Sequence, residues 1–209
     1  MTGDRTPQRR GEQLRRHILI SAKEVFLETG YERASMDAVA ARAGTSKRSL
    51  YAHFKSKDAL FLAVLELVRE LYLGRLRTPD TYASEPDEAV TRYCGRLLQL
   101  LVWEPQVRTC RLCISAAERM PASARAYFEA IFASAHQRLA DYLTDRYELA
   151  TADGAALATD LLGRTVLPRV FRTLLGVDQP NPDEPDEALP STTVDLGTIR
   201  RQVAATLPA

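Results

Sequence analysis

The sequence predicts an all-α protein, and three observations predict it. Apolar residues recur at intervals of three and four rather than two, the spacing of helices with one buried face. Glycine and proline, 10 and 11 in 209 residues, are sparse over the first three quarters. Serines and prolines stand where helix starts are expected, as caps and first-turn residues. About nine helices in total account for the chain.

The first helix, about Arg10 to Thr29, sets Leu14, Ile18, Ala22, Val25 and Phe26 on one face. Gly30 follows as a left-handed cap, a conformation that costs little without a Cβ. The second helix, Met36 to Ala43, is capped by Ser35 and turns Met36, Val39, Ala40 and Ala43 inward, with Asp37 near the favourable end of the helix dipole. Gly44 breaks it. Ser46 then caps a third helix in which Leu50 and Phe54 point inward. Helices this short are not stable alone, so the three must share one small core. Ser56 caps a fourth, Lys57 to about Leu76, with Asp58 in its first turn.

Thr78 to Pro86, rich in Pro, Ser and Asp, reads as a loop. Beyond it, helices are expected at about Asp87 to Trp103, Gln106 to Arg119 and Ala122 to Leu149, with Pro105 and Pro121 in first-turn positions. Phe128, Ile131, Ala135, Leu139 and Tyr142 form an apolar stripe along the last. Another helix spans Asp153 to Gly176 and should kink at Pro168. Gln179 to Pro190 holds four prolines and four acids with no base, an extended or mobile loop. Leu196 to Leu207 is the final helix, and there is no internal repeat.

A hydrophobic fraction of 45% excludes disorder of the whole chain. No apolar run approaches the ~18 residues of a membrane-spanning helix. Met1 to Arg10 is polar and basic with no apolar stretch behind it, so no signal peptide and a cytoplasmic location are expected. Cys94, Cys110 and Cys113 are too few for a disulfide scaffold and fit a reducing compartment. The net charge of +1 hides two opposed parts. Residues 1–57 hold 12 of the 28 Lys and Arg but 6 of the 27 Asp and Glu. A basic first quarter suits a polyanionic partner.

The segment Ser35 to Phe54, SMDAVAARAGTSKRSLYAHF, carries the chemistry. Ala40 is small where two helices cross, Gly44 supplies positive φ four residues later, and Leu50 anchors the second helix on the first. That is the spacing of a helix-turn-helix over residues 35–54. With Leu50 and Phe54 inward, Arg48, Ser49, Ala52 and Lys55 face outward, with Tyr51 and His53 on the flanks. Such a helix fits a major groove, where Arg48 and Ser49 can read base edges and Ala52 can meet a thymine methyl. Lys47, Tyr51, His53 and Lys57 would face phosphates, joined by Thr45 and Ser46 at the turn and by Ser35 at a helix N-terminus. The bland alternatives are a solvated basic face, a half-buried Tyr51 and a surface His53.

The stretch Ile18 to Leu65 resembles the DNA-binding head of the TetR family of transcriptional regulators. Ala22, Phe26, Gly30 and Tyr31, Val39-Ala40, Ala43-Gly44, Ser46-Lys47, Leu50-Tyr51, His53-Phe54 and Lys57-Asp58-Ala59-Leu60 fall on its pattern. The resemblance implies a three-helix head over residues 12–72 and a ligand-binding and dimerisation body over residues 73–209. It also implies a homodimer on double-stranded operator DNA, and a repressor released by an apolar or aromatic small molecule. Positions matching Ser35, Ser46, Lys47, Ser49, Tyr51, His53 and Lys57 commonly touch DNA in that family. Arg48 departs from it, since members usually carry glycine there. Arg111 to Leu143 is similar to the sensor region of an AefR-like subgroup, through Ala117-Glu118-Arg119, Pro121 and Tyr127-Phe128-Glu129.

Tyr93, Trp103, Cys110, Cys113, Tyr127, Phe128 and Ile131 are candidate ligand contacts, Phe132 could line the same cavity, and all are equally what any helical core contains. Cys110 and Cys113, three apart on a helix, are either buried thiols or a redox switch, and the alternative function is a cytosolic helical small-molecule-binding or thiol-sensing protein that responds through them. No metal site or cofactor motif is expected, and His136 has no nucleophile or orienting acid beside it in sequence, which argues against an enzyme. Leu157, Leu161, Leu162, Val166, Leu175, Ile199 and Val203 exceed what a small body needs inside and suggest a four-helix dimer interface.

Overall fold

The structure is a computed structural model and describes residues 6–73, 75–185 and 194–208. Its helices are α1 (Thr6–Arg33), α2 (Met36–Arg42), α3 (Lys47–His53), α4 (Lys57–Leu73), α5 (Pro86–Leu101), α6 (Glu104–Ser115), α7 (Pro121–Phe128), α8 (Ser134–Arg146), α9 (Thr151–Thr165), α10 (Leu167–Leu174) and α11 (Leu196–Ala204). A π-helical turn, Glu129–Ala133, joins α7 to α8 as one rod, so the described residues form ten rods where about nine are expected. The fold is all-α.

Cap chemistry sets the head. Ser35, Ser46 and Ser56 each accept the backbone N–H three residues on, from Ala38, Ser49 and Ala59, all at 3.1 Å. Each bond satisfies a donor that a helix start leaves open. Gly30 takes φ 76° and Gly44 φ 58°, the left-handed region expected of both. After Gly30 the chain makes one more turn to Arg33, longer than the expected end at Thr29. Phe26, Tyr31 and Phe61 pack with ring centroids 5.0–6.1 Å apart, and Val39, Ala40, Leu50 and Phe54 complete this core. The expected fourth helix, Lys57 to Leu76, stops at Leu73; Gly74 lies outside the described residues, and Leu76 is buried in the connection.

In the body, α5 is enclosed by its neighbours, α8 lies along α9, and α11 lies along α5. Arg200 on α11 meets Glu88 on α5 at 2.7 Å, and Arg92 meets it at 2.6 Å; these guanidinium groups hold the Glu88 carboxyl below its usual range. The expected helix Asp153 to Gly176 is two helices. It breaks at Val166, and Pro168 lies in the first turn of α10, where its missing N–H is harmless. The loop expected over Gln179 to Pro190 is pinned in its first part. Asn181 donates to the Val102 carbonyl and accepts from the Glu104 amide, both at 2.8 Å, whereas residues 186–190 lie outside the described set.

Most of the apolar residues expected to form a four-helix dimer interface lie inside the protomer instead. Leu161, Leu162, Val166, Ile199 and Val203 are buried within the protomer's own core, where α11 covers α5 and α9. Leu157 is half-buried, and Leu175 stays exposed. Gly154 sets the α8–α9 distance: a Cβ there would stand 2.1 Å from Thr144 Oγ1 and 3.1 Å from the Ala140 carbonyl oxygen. Gly154→Ala is therefore expected to destabilise the protein by about 1–3 kcal/mol through overpacking. Thermal unfolding measures this, and an unchanged midpoint would show that the two helices are not held at contact there.

Candidate nucleic-acid interface and ligand cavity

The short helix α3 displays what the helical wheel assigns to it except at two positions, since Tyr51 faces outward and Ser49 turns to the flank. Leu50 and Phe54 are 0% and 4% exposed against the head core. Lys47, Arg48, Tyr51, Ala52 and Lys55 are exposed, while Ser49 and His53 are half-buried on the flanks. Thr45 is half-buried in the turn, its amide held by the Ala40 carbonyl at 3.0 Å. Lys47 rests on Asp37 of α2 at 2.7 Å, an exposed pair worth little in water. Arg48 has no ion-pair partner among the described residues.

Lys57 is differently engaged. Its ammonium donates to the carbonyls of Tyr31, Ala34 and Glu32 at 2.9, 3.1 and 3.3 Å and lies 4.4 Å from the centre of the Tyr31 ring. The cation satisfies acceptors that the end of α1 leaves open. Tyr31 donates to Asp58 in turn. Burial and that carboxylate push the Tyr31 hydroxyl up to about 12. The first turn of α4, immediately after α3, is thus tied to the end of α1.

The body holds a cavity of about 630 Å³ between α5, α6, the α7–α8 rod, α9 and α10, within the range of small-molecule sites. Of the candidate ligand contacts, Cys110, Cys113, Tyr127 and Phe128 line it. Three others do not. Tyr93 is fully buried and donates to the Ala135 carbonyl at 2.7 Å, behind the wall. Ile131 packs in the core, and the Trp103 ring lies under the Arg75 guanidinium at 5.3 Å.

Phe132, another expected cavity aromatic, lines it too, and residues without such a signal complete the lining, among them His136, Gln137, Thr159, Val170 and Phe171. Phe128 and Phe132, four apart at the π turn of the rod, both reach the cavity while Ile131 packs inward. His136 Nε2 lies 3.1 Å from the Ala155 carbonyl and 2.9 Å from Thr159 Oγ1. A carbonyl can only accept, so Nε2 carries hydrogen in this contact and Nδ1 is left as the other polar atom of the ring. None of the described lining residues is Asp, Glu, Lys or Arg.

The thiols are free and buried. Burial pushes Cys94 and Cys113 up to about 12, and Cys110 is raised for the same reason. A thiol as far up as that of Cys113 holds almost no thiolate near neutral pH, and the raised Cys110 holds less than an ordinary thiol, which disfavours redox chemistry at this pair.

Helix α6 joins the cavity to the head. Cys110, Cys113 and Ile114 of α6 face the cavity. On the same helix, Arg108 donates to the Leu27 carbonyl of α1 at 3.1 Å, and Arg111 holds the carbonyls of Thr173 and Leu174 at 2.7 and 2.9 Å. Just past its end, Arg119 pairs with Glu32 at 2.9 Å and lies 5.7 Å from the Tyr31 ring centre.

Comparison with known proteins agrees with this architecture. The sequence model of the bacterial regulatory proteins of the tetR family matches residues 18–64, and that of the AefR-like transcriptional repressor C-terminal domain matches residues 88–195. The chain is 50% identical over 64 residues to the transcriptional activator FasR of Mycolicibacterium smegmatis, covering 31% of this chain and 28% of that one. It is 39% identical over 72 residues to the transcriptional regulator UidR of Escherichia coli, covering 34% and 37%. These matches thus span well under half the length of either curated relative. A TetR-family transcriptional regulator from Mesorhizobium loti superposes with a TM-score of 0.77 at 25% identity, over 95% of this chain and 96% of that one. The flavonoid-responsive regulator FrrA does so with 0.70 at 25% identity, over 93% of each. With a helix-turn-helix head and a body matched over more than half its length, the chain belongs to the TetR family of bacterial regulatory proteins and carries an AefR-like C-terminal domain.

Proposed function

We propose that the protein is a cytoplasmic, ligand-responsive repressor that binds a palindromic operator as a homodimer. The observation that carries this reading is the exposed Lys47, Arg48 and Tyr51 face of α3, held rigid by two serine caps and a buried leucine. In a two-fold dimer the two α3 helices enter successive major grooves about 34 Å apart. Arg48 and Ser49 read bases. Ser35, Thr45, Ser46, Lys47, Tyr51 and His53 fix the register on phosphates, and Lys57 joins them to the extent that its three carbonyl partners allow.

The effector enters the body cavity. With no charged residue among the described lining, an ionic ligand would lose its hydration without a partner, so the effector is a neutral apolar or aromatic molecule. FrrA, of similar fold, is flavonoid-responsive by name. The ligand must favour one spacing of the heads over another, since equal affinity for both would shift nothing. Helix α6 supports that coupling, because the same helix lines the cavity and grips α1 through Arg108, with Arg119 gripping it just beyond.

The neutral fluorophore 1-aminoanthracene tests the cavity, with Ala117→Trp and Ala133→Phe as filled variants. The wild type is expected to bind the probe saturably. Either variant should bind at least about tenfold more weakly at an unchanged unfolding midpoint, since a side chain occupies the ligand's volume. Equal binding by wild type and variants would contradict the assignment.

A further inference from the structure

We infer that the first turns of α1 form a basic arm that contacts duplex DNA flanking each operator half-site. The inference rests on the DNA-binding reading and extends it beyond the helix-turn-helix. Helix α1 begins at Thr6, twelve residues before the first residue matched by the family's head. This extension carries Arg10, Arg15 and Arg16, all exposed, and none has an ion-pair partner among the described residues. Glu12, Glu66 and Glu70 line the groove beside Arg15 and Arg16 but form no ion pair with them, and Glu66 is taken by Arg69.

Position follows from contacts at the two ends of α1. Its C-terminal half faces the body, where Leu27 and Glu32 meet Arg108 and Arg119 of the α6 region. Its earlier half lies beside the helix-turn-helix: His17 Nε2 is 3.2 Å from the Ala43 carbonyl at the end of α2, and the Arg15 guanidinium lies 5.3 Å from the centre of the Phe54 ring, at the end of α3. Continuing from His17 toward the N-terminus carries the helix past the motif on the side away from the body. At 1.5 Å per residue, Arg10 stands about 10 Å beyond His17. A duplex on α3 runs past this arm. Exposed arginines without carboxylate partners are suited to its phosphates, each contact releasing condensed counterions.

The test uses the full chain and the duplex it selects from genomic DNA, either trimmed to the symmetric core or extended by ten base pairs on each side. The wild type is expected to bind the extended duplex at least about tenfold more tightly, with a log–log salt slope steeper by about 2 to 4, as two or more added phosphate contacts per dimer require. In Arg10→Ala/Arg16→Ala both differences should vanish while binding to the trimmed duplex stays as in the wild type. Arg15 is retained because its guanidinium packs on Phe54 and supports α3. Wild-type behaviour of the variant on the extended duplex, or an equal loss on both duplexes, would overturn the arm. Selection of no duplex by the wild type would overturn the DNA-binding reading itself and the arm with it.

Discussion

Arg48→Ala is expected to weaken binding to the best operator by roughly 30-fold to more than 10⁴-fold. Each bidentate arginine–base contact is worth about 1–3 kcal/mol of discrimination, and a two-fold dimer forfeits two of them. Arg48 is exposed on the outer face of α3, without a carboxylate partner among the described residues, so its removal leaves the fold of the head intact. The loss should be confined to cognate sequence, with little change in salt slope. Lys47→Ala should instead weaken all sequences alike and make the slope shallower by about 1 for each phosphate it no longer neutralises. Titration of cognate and scrambled duplexes at several salt concentrations separates the two patterns. An equal loss on both duplexes by Arg48→Ala would mean that Arg48 meets phosphate rather than a base.

Leu50→Ala is expected to cost about 2–5 kcal/mol, the range for a fully buried leucine whose cavity cannot collapse. Leu50 is 0% exposed, and it is the buried residue of seven-residue α3. A helix of two turns has no stability of its own to offset that loss. Operator binding should therefore disappear while the body still binds 1-aminoanthracene. Chemical denaturation together with both titrations checks this. Operator affinity at the wild-type level would show that α3 is held by something other than its leucine.

The head is legible in the sequence because its rules are local. Ser35, Ser46 and Ser56 cap three helix starts, and Gly30 and Gly44 take the positive φ values that glycine permits. Each signal acts within four residues of the feature it sets. The body depends on distant packing instead. Tyr93 and Phe128 look alike in a helical pattern, yet one is sealed behind Ala135 and the other borders the cavity. Phe128 sits at the start of a π turn over Glu129–Ala133 that no residue in the stretch announces, while Tyr93 belongs to α5, which its neighbours enclose. The spacing of Leu161 and Ile199 suggests a surface for a second subunit, but α11 folds back onto α5 and α9, so that both are buried within one protomer. Apolar spacing reveals that a face is buried, not which element covers it. His136 and Thr159 carry no local signal as lining residues because α8 and α9 bring together positions 23 apart.

Selection of fragmented genomic DNA by the purified protein, with Lys47→Ala/Tyr51→Ala as control, decides whether α3 recognises an operator. A two-fold symmetric site recovered by the wild type and absent from the control is the predicted result. No enrichment at low salt by a folded dimer, or the same site recovered by both proteins, would contradict recognition through α3.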